Sequence, residues 1–450
     1  MIKESKSEFS LNMPLMDSCC AAIDVGSTMM MVSYSDRDGK QNLLEVDAYT
    51  QSLQELATIL KEAGVVRVGM EATGVYWIVI YEILEQEGFA VTLVNAKHFK
   101  NVEAQKTDVK DCQWLHQLHA NGLLRNSHIA KEKFRELKSY LHERKILQSQ
   151  KSDTLNRIHK LLTLMNVKVQ HLISDIEGVA GMKLLRAIAS GITDAEALLS
   201  LININSLKAE KEDLLKSLNG IYKEQYLKIL KNTLKAYDFF KEAMKAYEQD
   251  IEEVLKSLLP PNEEGTKPVI KKKTSHTRKN QYRINLKGYL NHIIGVDTTK
   301  IDGLDEISIL DIISVTGLDM SKWPTENHFS SWLNLSPRPK ISGGKVLGHE
   351  KRFTKNRATQ AFRLAARTMH KQKGPLGHLY RRLSAQKGSK KANKALARKL
   401  AVIFYNMVKN QTEYDKSKLK VDNERQKAKR ISFLQKEASK YGFELQKVTA

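Results

Sequence analysis

Residues 19–34 read CCAAIDVGSTMMMVSY, and this stretch decides the fold of the first part of the chain. Two apolar runs, each too short for a stable helix, flank a small-residue turn centred on Asp24-Val25-Gly26-Ser27-Thr28. That pattern predicts two consecutive β-strands. Working outward, 65–70 (VVRVGM) and 89–94 (FAVTLV) predict two more short strands, and 53–63 and 75–87 have helical spacing. The order β-β-α-β-α-β predicts an α/β domain with a mixed sheet over 19–126, behind a polar leader at 1–18. A helix from about 107 to 124 would close it.

Further along, the periodicity changes. Residues 131–170 predict a long, charged, amphipathic helix of the kind that carries a coiled coil or a dimer seam. The whole of 127–258 reads as a helical, coiled-coil connector. Pro260, Pro261, Gly265 and Pro268, followed by a lysine cluster, mark 259–284 as a basic linker or insertion. A mostly helical second domain is expected over 285–412, and a charged tail over 413–450.

Charge narrows the function. The 450 residues carry 73 Lys+Arg against 51 Asp+Glu, a formal charge of +22. The excess is not spread evenly: residues 1–100 hold 8 basic and 14 acidic side chains, whereas 351–400 hold 16 basic and none acidic. Concentrated cations are what phosphate neutralisation requires, and here they overlap the apolar periodicity of Phe362, Leu364, Ala365 and Met369. A nucleic-acid partner is therefore expected, with Lys345, Arg352, Lys355, Arg357, Arg363 and Arg367 as contacts. Three cysteines rule out a disulfide scaffold. No apolar run suffices for a membrane span and no secretory leader is visible, so a cytoplasmic location is expected.

Four carboxylates stand at the edges of apolar elements. Asp24 lies in AAIDVGS, Glu71 in GMEATG, and Asp108 and Asp111 in KTDVKDCQWL. The last two, three apart, share one helix face. Carboxylates converging from strand ends and a helix hold Mg²⁺ or Mn²⁺, which polarise a phosphodiester and stabilise attacking and leaving oxygens. The order D, E, DxxD within one α/β domain is that of an RNase H-like (RuvC-like) nuclease fold. DVGST also matches the phosphate loop of actin-like ATPases, but no second loop of that kind follows. His116 and His119 lack a third soft ligand and read as structural.

A second constellation lies in SSWLNLSPRPKISGGKVLG, where Ser342 precedes two glycines and Lys345. The serine hydroxyl is unhindered, the glycines permit close approach of a phosphate, and the lysine offsets developing negative charge. A plain flexible loop is the bland alternative.

Together, AAIDVGS, GMEATGVYW, LVNAKHFKNVEAQKTDVKDCQWLHQL and the serine segment resemble the DEDD-type transposases of the insertion sequence 110 family. These are bridge-RNA-guided recombinases. The resemblance covers about 20–125, the connecting helices and about 285–410. It implies that Asp24, Glu71, Asp108 and Asp111 bind Mg²⁺ (or Mn²⁺). It implies too that Ser342 forms a transient phosphoserine link to DNA. It further implies donor and target DNA, a guide (bridge) non-coding RNA, and a dimer or tetramer whose subunits share active sites. The chain departs from the family pattern after the serine, where Thr354-Lys355-Asn356-Arg357 lacks a usual glycine. A metal-only RuvC-like nuclease and a non-catalytic nucleic-acid-binding protein are the alternatives; the second leaves the four acids unexplained.

Overall fold

In the computed structural model, β2 (Cys20–Val25) is a central strand of a six-stranded sheet ordered β1-β4-β3-β2-β5-β6. The structure describes residues 2–4, 16–17, 19–94, 108–204, 207, 209–261, 280–349, 356–419 and 423–444. The chain divides into two compact units, Met1–Ile129 and Ala130–Ala450.

In the first unit, β3 (Met29–Ser35) and β4 (Gln41–Asp47) continue from β2 as an antiparallel meander, and β1 (Ile2–Glu4) pairs antiparallel with β4. On the other side of β2, β5 (Arg67–Glu71) and β6 (Ala90–Val94) run parallel to it. A parallel pair needs a crossover, and helices α1 (Thr50–Glu62) and α2 (Trp77–Gln86) precede these two strands in the chain. Both helices pack on one sheet face, where Leu53, Leu56, Leu60, Ile80 and Leu84 meet Ile23, Val25, Val68 and Met70. Helix α3 (Asp108–Ala120) covers the opposite face.

β1 and β4 are strands beyond the expected β-β-α-β-α-β order. β4 follows a tight turn in which the Asp36 carboxylate accepts the amides of Asp38 and Lys40, and Gly39 takes a φ of 78°. Most of the polar leader, and 262–279 of the basic linker, lie outside the described residues.

The second unit is mostly helical. Helices α4 (Glu132–Leu164), α5 (Val179–Ala189), α6 (Ala195–Ser200), α7 (Lys211–Leu218) and α8 (Glu224–Leu258) come first. There follow α9 (Leu286–Ile294), α10 (Glu306–Thr316), α11 (Glu326–Trp332) and a hairpin of β7 (Pro339–Ser342) and β8 (Lys345–His349). Helices α12 (Arg357–Thr368), α13 (Pro375–Lys387), α14 (Ser389–Asn410) and α15 (Asn423–Lys440) complete it.

α4 and α8 lie antiparallel. The amino-terminal half of α4 shares a core with the carboxyl-terminal half of α8, and the reverse holds at the other end. The buried positions of α4 include Phe134, Leu137, Leu141, Arg144, Lys151 and Ile158, a spacing of threes, fours and sevens that suits a helix–helix seam. The seam is polar in its middle: Arg144 donates to Glu248 from Nε at 3.0 Å and Nη2 at 2.6 Å, and stacks over Tyr282 at 3.7 Å. Burial pushes the Tyr282 phenol up to about 12. Around α14, Trp323 meets Phe329 at 4.9 Å and Trp332 at 5.0 Å, so Trp332 is an aromatic core element.

Candidate active site and nucleic-acid interface

Asp24 and Glu71 are brought together by strand register. β2 and β5 pair in parallel with Ala22 opposite Gly69 and Ile23 opposite Met70, so the next residues, Asp24 and Glu71, fall side by side. Adjacent strands lie about 4.8 Å apart, and aligned residues of a parallel pair share a face. Ile23 and Met70 belong to the core beneath α1 and α2, which puts Ala22, Asp24 and Glu71 on the α3 side. Glu71 is 7% exposed, and Asp24 is half-buried.

The direction of α3 follows from its contacts. Cys112 Sγ donates to the carbonyls of Met31 at 3.2 Å and Ala22 at 3.5 Å, and Leu115 packs on Ala22 and Val94. His116 Nδ1 bonds Ser33 Oγ at 2.8 Å. The His119 ring fills the space above Gly69, where an added Cβ would meet it at 3.0 Å. Later residues of α3 thus lie over earlier residues of β5. Its first turn, with Asp111 and the backbone of Asp108, comes to the end of the sheet where Asp24 and Glu71 stand. The helix amino terminus also supplies partial positive charge there.

Cys112 and the two histidines lend this site packing rather than ligands. Burial, with the nearby Asp24 charge, pushes the Cys112 thiol up to about 12, so it stays protonated. Burial brings His116 and His119 down to about 4, leaving both neutral. In the sequence, Cys112 is marked only by its place directly after Asp111 on a helix.

The acids suit a hard divalent cation in kind, since all are oxygen donors. Among the described residues, no group of three or more His, Cys, Asp and Glu side chains stands in a metal-holding arrangement. The Asp108 side chain lies outside those residues.

Ser342 belongs to the other unit. It ends β7 and pairs directly with Lys345 across Gly343 and Gly344, whose φ values are 54° and 74°. Two consecutive left-handed residues make a two-residue hairpin turn that glycine adopts without strain and asparagine tolerates, but β-branched residues do not. The expected loop is therefore an ordered β-hairpin tip. Ser342 and Lys345 are exposed, as are Ile341, Val346 and Leu347. At the hairpin base, Arg338 donates to Ser331 Oγ at 3.1 Å, and Ser330 and Ser336 share a 3.0 Å hydrogen bond.

Of the expected cationic contacts, Arg363 and Arg367 are exposed on α12. Arg357 instead donates to His142 Nδ1 at 2.6 Å and lies 4.0 Å from the Asp311 carboxylate. Arg352 and Lys355 lie outside the described residues.

Two family models match the chain. Residues 21–167 match the model for the IS110 DEDD transposase, and residues 298–382 match the model described as the transposase IS116/IS110/IS902 family. Together the two matches cover just over half of the chain. The chain belongs to the IS110 family of transposases. An IS110 family transposase is an enzyme acting on DNA, and its DEDD domain implies an RNase H-like fold and divalent-metal dependence. The mixed sheet accords with that fold. No curated protein sequence matches the chain significantly. Among the described residues, no helix is long and apolar enough to cross a membrane.

Proposed function

We propose that this transposase cleaves and exchanges DNA strands through a transient phosphoserine link at Ser342, assisted by a Mg²⁺- or Mn²⁺-binding site formed by Asp24, Glu71, Asp108 and Asp111. The observation that carries this reading is the exposed serine on a two-glycine hairpin tip, directly opposite a lysine. In the covalent step Ser342 Oγ attacks phosphorus, a phosphorus–oxygen bond to one DNA strand breaks, and the hydroxyl proton ends on the leaving oxygen. The phosphodiester energy is kept in the link, so a second DNA hydroxyl reverses the step without nucleotide hydrolysis. Lys345, at a cross-strand Cβ separation of about 5 Å, offsets charge on the attacked phosphate.

The carboxylate pair is supported by the shared face of Asp24 and Glu71 under the first turn of α3. When bound, a divalent ion there would polarise the phosphodiester and neutralise part of its charge. Without cations, acids beside DNA would repel it. We further propose that a guide RNA from the element's flanking sequence reads donor and target, and that the enzyme works as a dimer or tetramer. Lys345, Arg352, Lys355, Arg357, Arg363 and Arg367 remain the proposed nucleic-acid contacts, with Arg357 acting through the α4–α12 junction it ties.

The test compares Ser342→Ala and Asp24→Ala in recombination of a donor DNA, with flanking-sequence RNA supplied. Loss in both variants is expected. Retention in Ser342→Ala with loss in Asp24→Ala would establish a metal-only nuclease instead.

A further inference from the structure

Among the described residues of 351–400, the structure separates cations bound into the protein from cations left to solvent. Some are bound into the protein itself. Arg357 is held by His142 and Asp311, Arg381 Nη1 donates to the carbonyls of His370 at 3.0 Å and Gln372 at 2.7 Å, and Arg398 Nη2 donates to Asn327 Oδ1 at 2.7 Å. Others face outward, and three of these, Arg363, Arg367 and Lys390, line one groove.

That groove, of about 620 Å³, lies between α12, α13 and the first turn of α14. Arg363 and Arg367 line one wall and Lys390 the other, with Leu364, 64% exposed, between the arginines. Asn393 Nδ2 donates to the Arg363 carbonyl at 2.9 Å, which fixes the spacing of the two walls. Lys394 stands close enough to Arg363 for burial and that like charge to lower its pKa. Among the described residues, no carboxylate pairs with any of these four cations. Like charges gathered around a concave surface repel one another, and a bound polyanion relieves that repulsion.

We propose that this groove, with Arg363, Arg367 and Lys390 as its cations and Lys394 close to Arg363, grips the sugar–phosphate backbone of duplex DNA. The proposal rests on the reading of the chain as a transposase, whose substrate is DNA. The spacing agrees with it. Residues 363 and 367 are four apart on one helix, about 6 Å along its axis. That is nearly two steps of a DNA strand at about 3.4 Å each. Contacts to phosphate carry no sequence information, so a mixed-sequence duplex suffices to test the grip.

The test is a salt titration of the full chain against a labelled mixed-sequence duplex, followed by fluorescence anisotropy. In Arg363→Gln/Arg367→Gln/Lys390→Gln, the slope of log affinity against log salt is expected to shrink by about 0.9 per cation removed. Arg363→Lys/Arg367→Lys keeps the charge and is expected to keep the slope. Lys390→Gln alone, an exposed change that loses no ion pair among the described residues, is expected to shrink it by about 0.9, which covers the case in which the triple variant misfolds. An unchanged slope in the glutamine variants overturns the groove while leaving the transposase reading in place. So does a loss confined to a parallel titration with an RNA hairpin. Absence of salt-dependent duplex binding by the unaltered chain overturns the groove and the DNA-acting reading together.

Discussion

Replacing Arg144 by Met tests how the α4–α8 seam is held. Arg144 and Glu248 are 4% and 7% exposed, and two N–H groups of the arginine reach one carboxylate oxygen. The substitution leaves Glu248 buried with the Arg283 amide at 3.1 Å still donating to it. Removing one partner of a buried ion pair costs about 3–5 kcal/mol. Loss of the Tyr282 stacking adds about 0.5–2 kcal/mol. Arg144→Met/Glu248→Met removes both charges and leaves the Arg283 amide unpaired, a cost of about 1–3 kcal/mol. The double variant is therefore expected to be more stable than Arg144→Met. Urea unfolding monitored by circular dichroism measures all three proteins, and the double-mutant cycle isolates the pair. A double variant destabilised by the sum of the two single changes would refute the reasoning.

Further consequences concern the site. Because His116 and His119 are brought from 6.5 to about 4, the unfolded chain takes up protons first as pH falls. Stability of the Met1–Ile129 unit should then drop between about pH 6.5 and 4, by on the order of a few kcal/mol, and level off below. Urea midpoints that stay flat across that interval would contradict this. Gly69→Ala puts a methyl 3.0 Å from the His119 ring, so thermal denaturation should show destabilisation of about 1–3 kcal/mol. At the hairpin tip, Gly343→Asn suits the left-handed turn and should preserve recombination, whereas Gly343→Val should lose most of it; equal activities would remove the turn from the account. Asp24→Asn should abolish any Mg²⁺-induced rise in melting temperature of the unaltered protein, and an undiminished rise would place the ion elsewhere.

How much of this was legible in the sequence depended on whether a signal was local. β2, β3 and β5 could be read because their apolar runs are too short for helices and are bounded by turn residues or an acid. β4 was not, since Asn42 and the adjacent pair Leu43-Leu44 break its alternation and its apolar side chains make sense only once paired with β3. Ser342-Gly343-Gly344-Lys345 was seen as chemistry but not as a strand turn; the two glycines between alternating residues were a signal for one. The acids could be named from their types, but the common face of Asp24 and Glu71 needed the β2–β5 register. The fate of individual cations was not legible at all. Arg357 and Arg363 look alike in sequence, and only the distant His142 and Asp311 distinguish them.

The measurement closest to the central claim is covalent trapping. The purified chain is incubated with Mg²⁺, its flanking-sequence RNA and labelled donor DNA, then resolved on a denaturing gel. The account predicts a DNA–protein adduct that disappears in Ser342→Ala. Cleavage without an adduct, retained in Ser342→Ala and lost in Asp108→Ala, would contradict it.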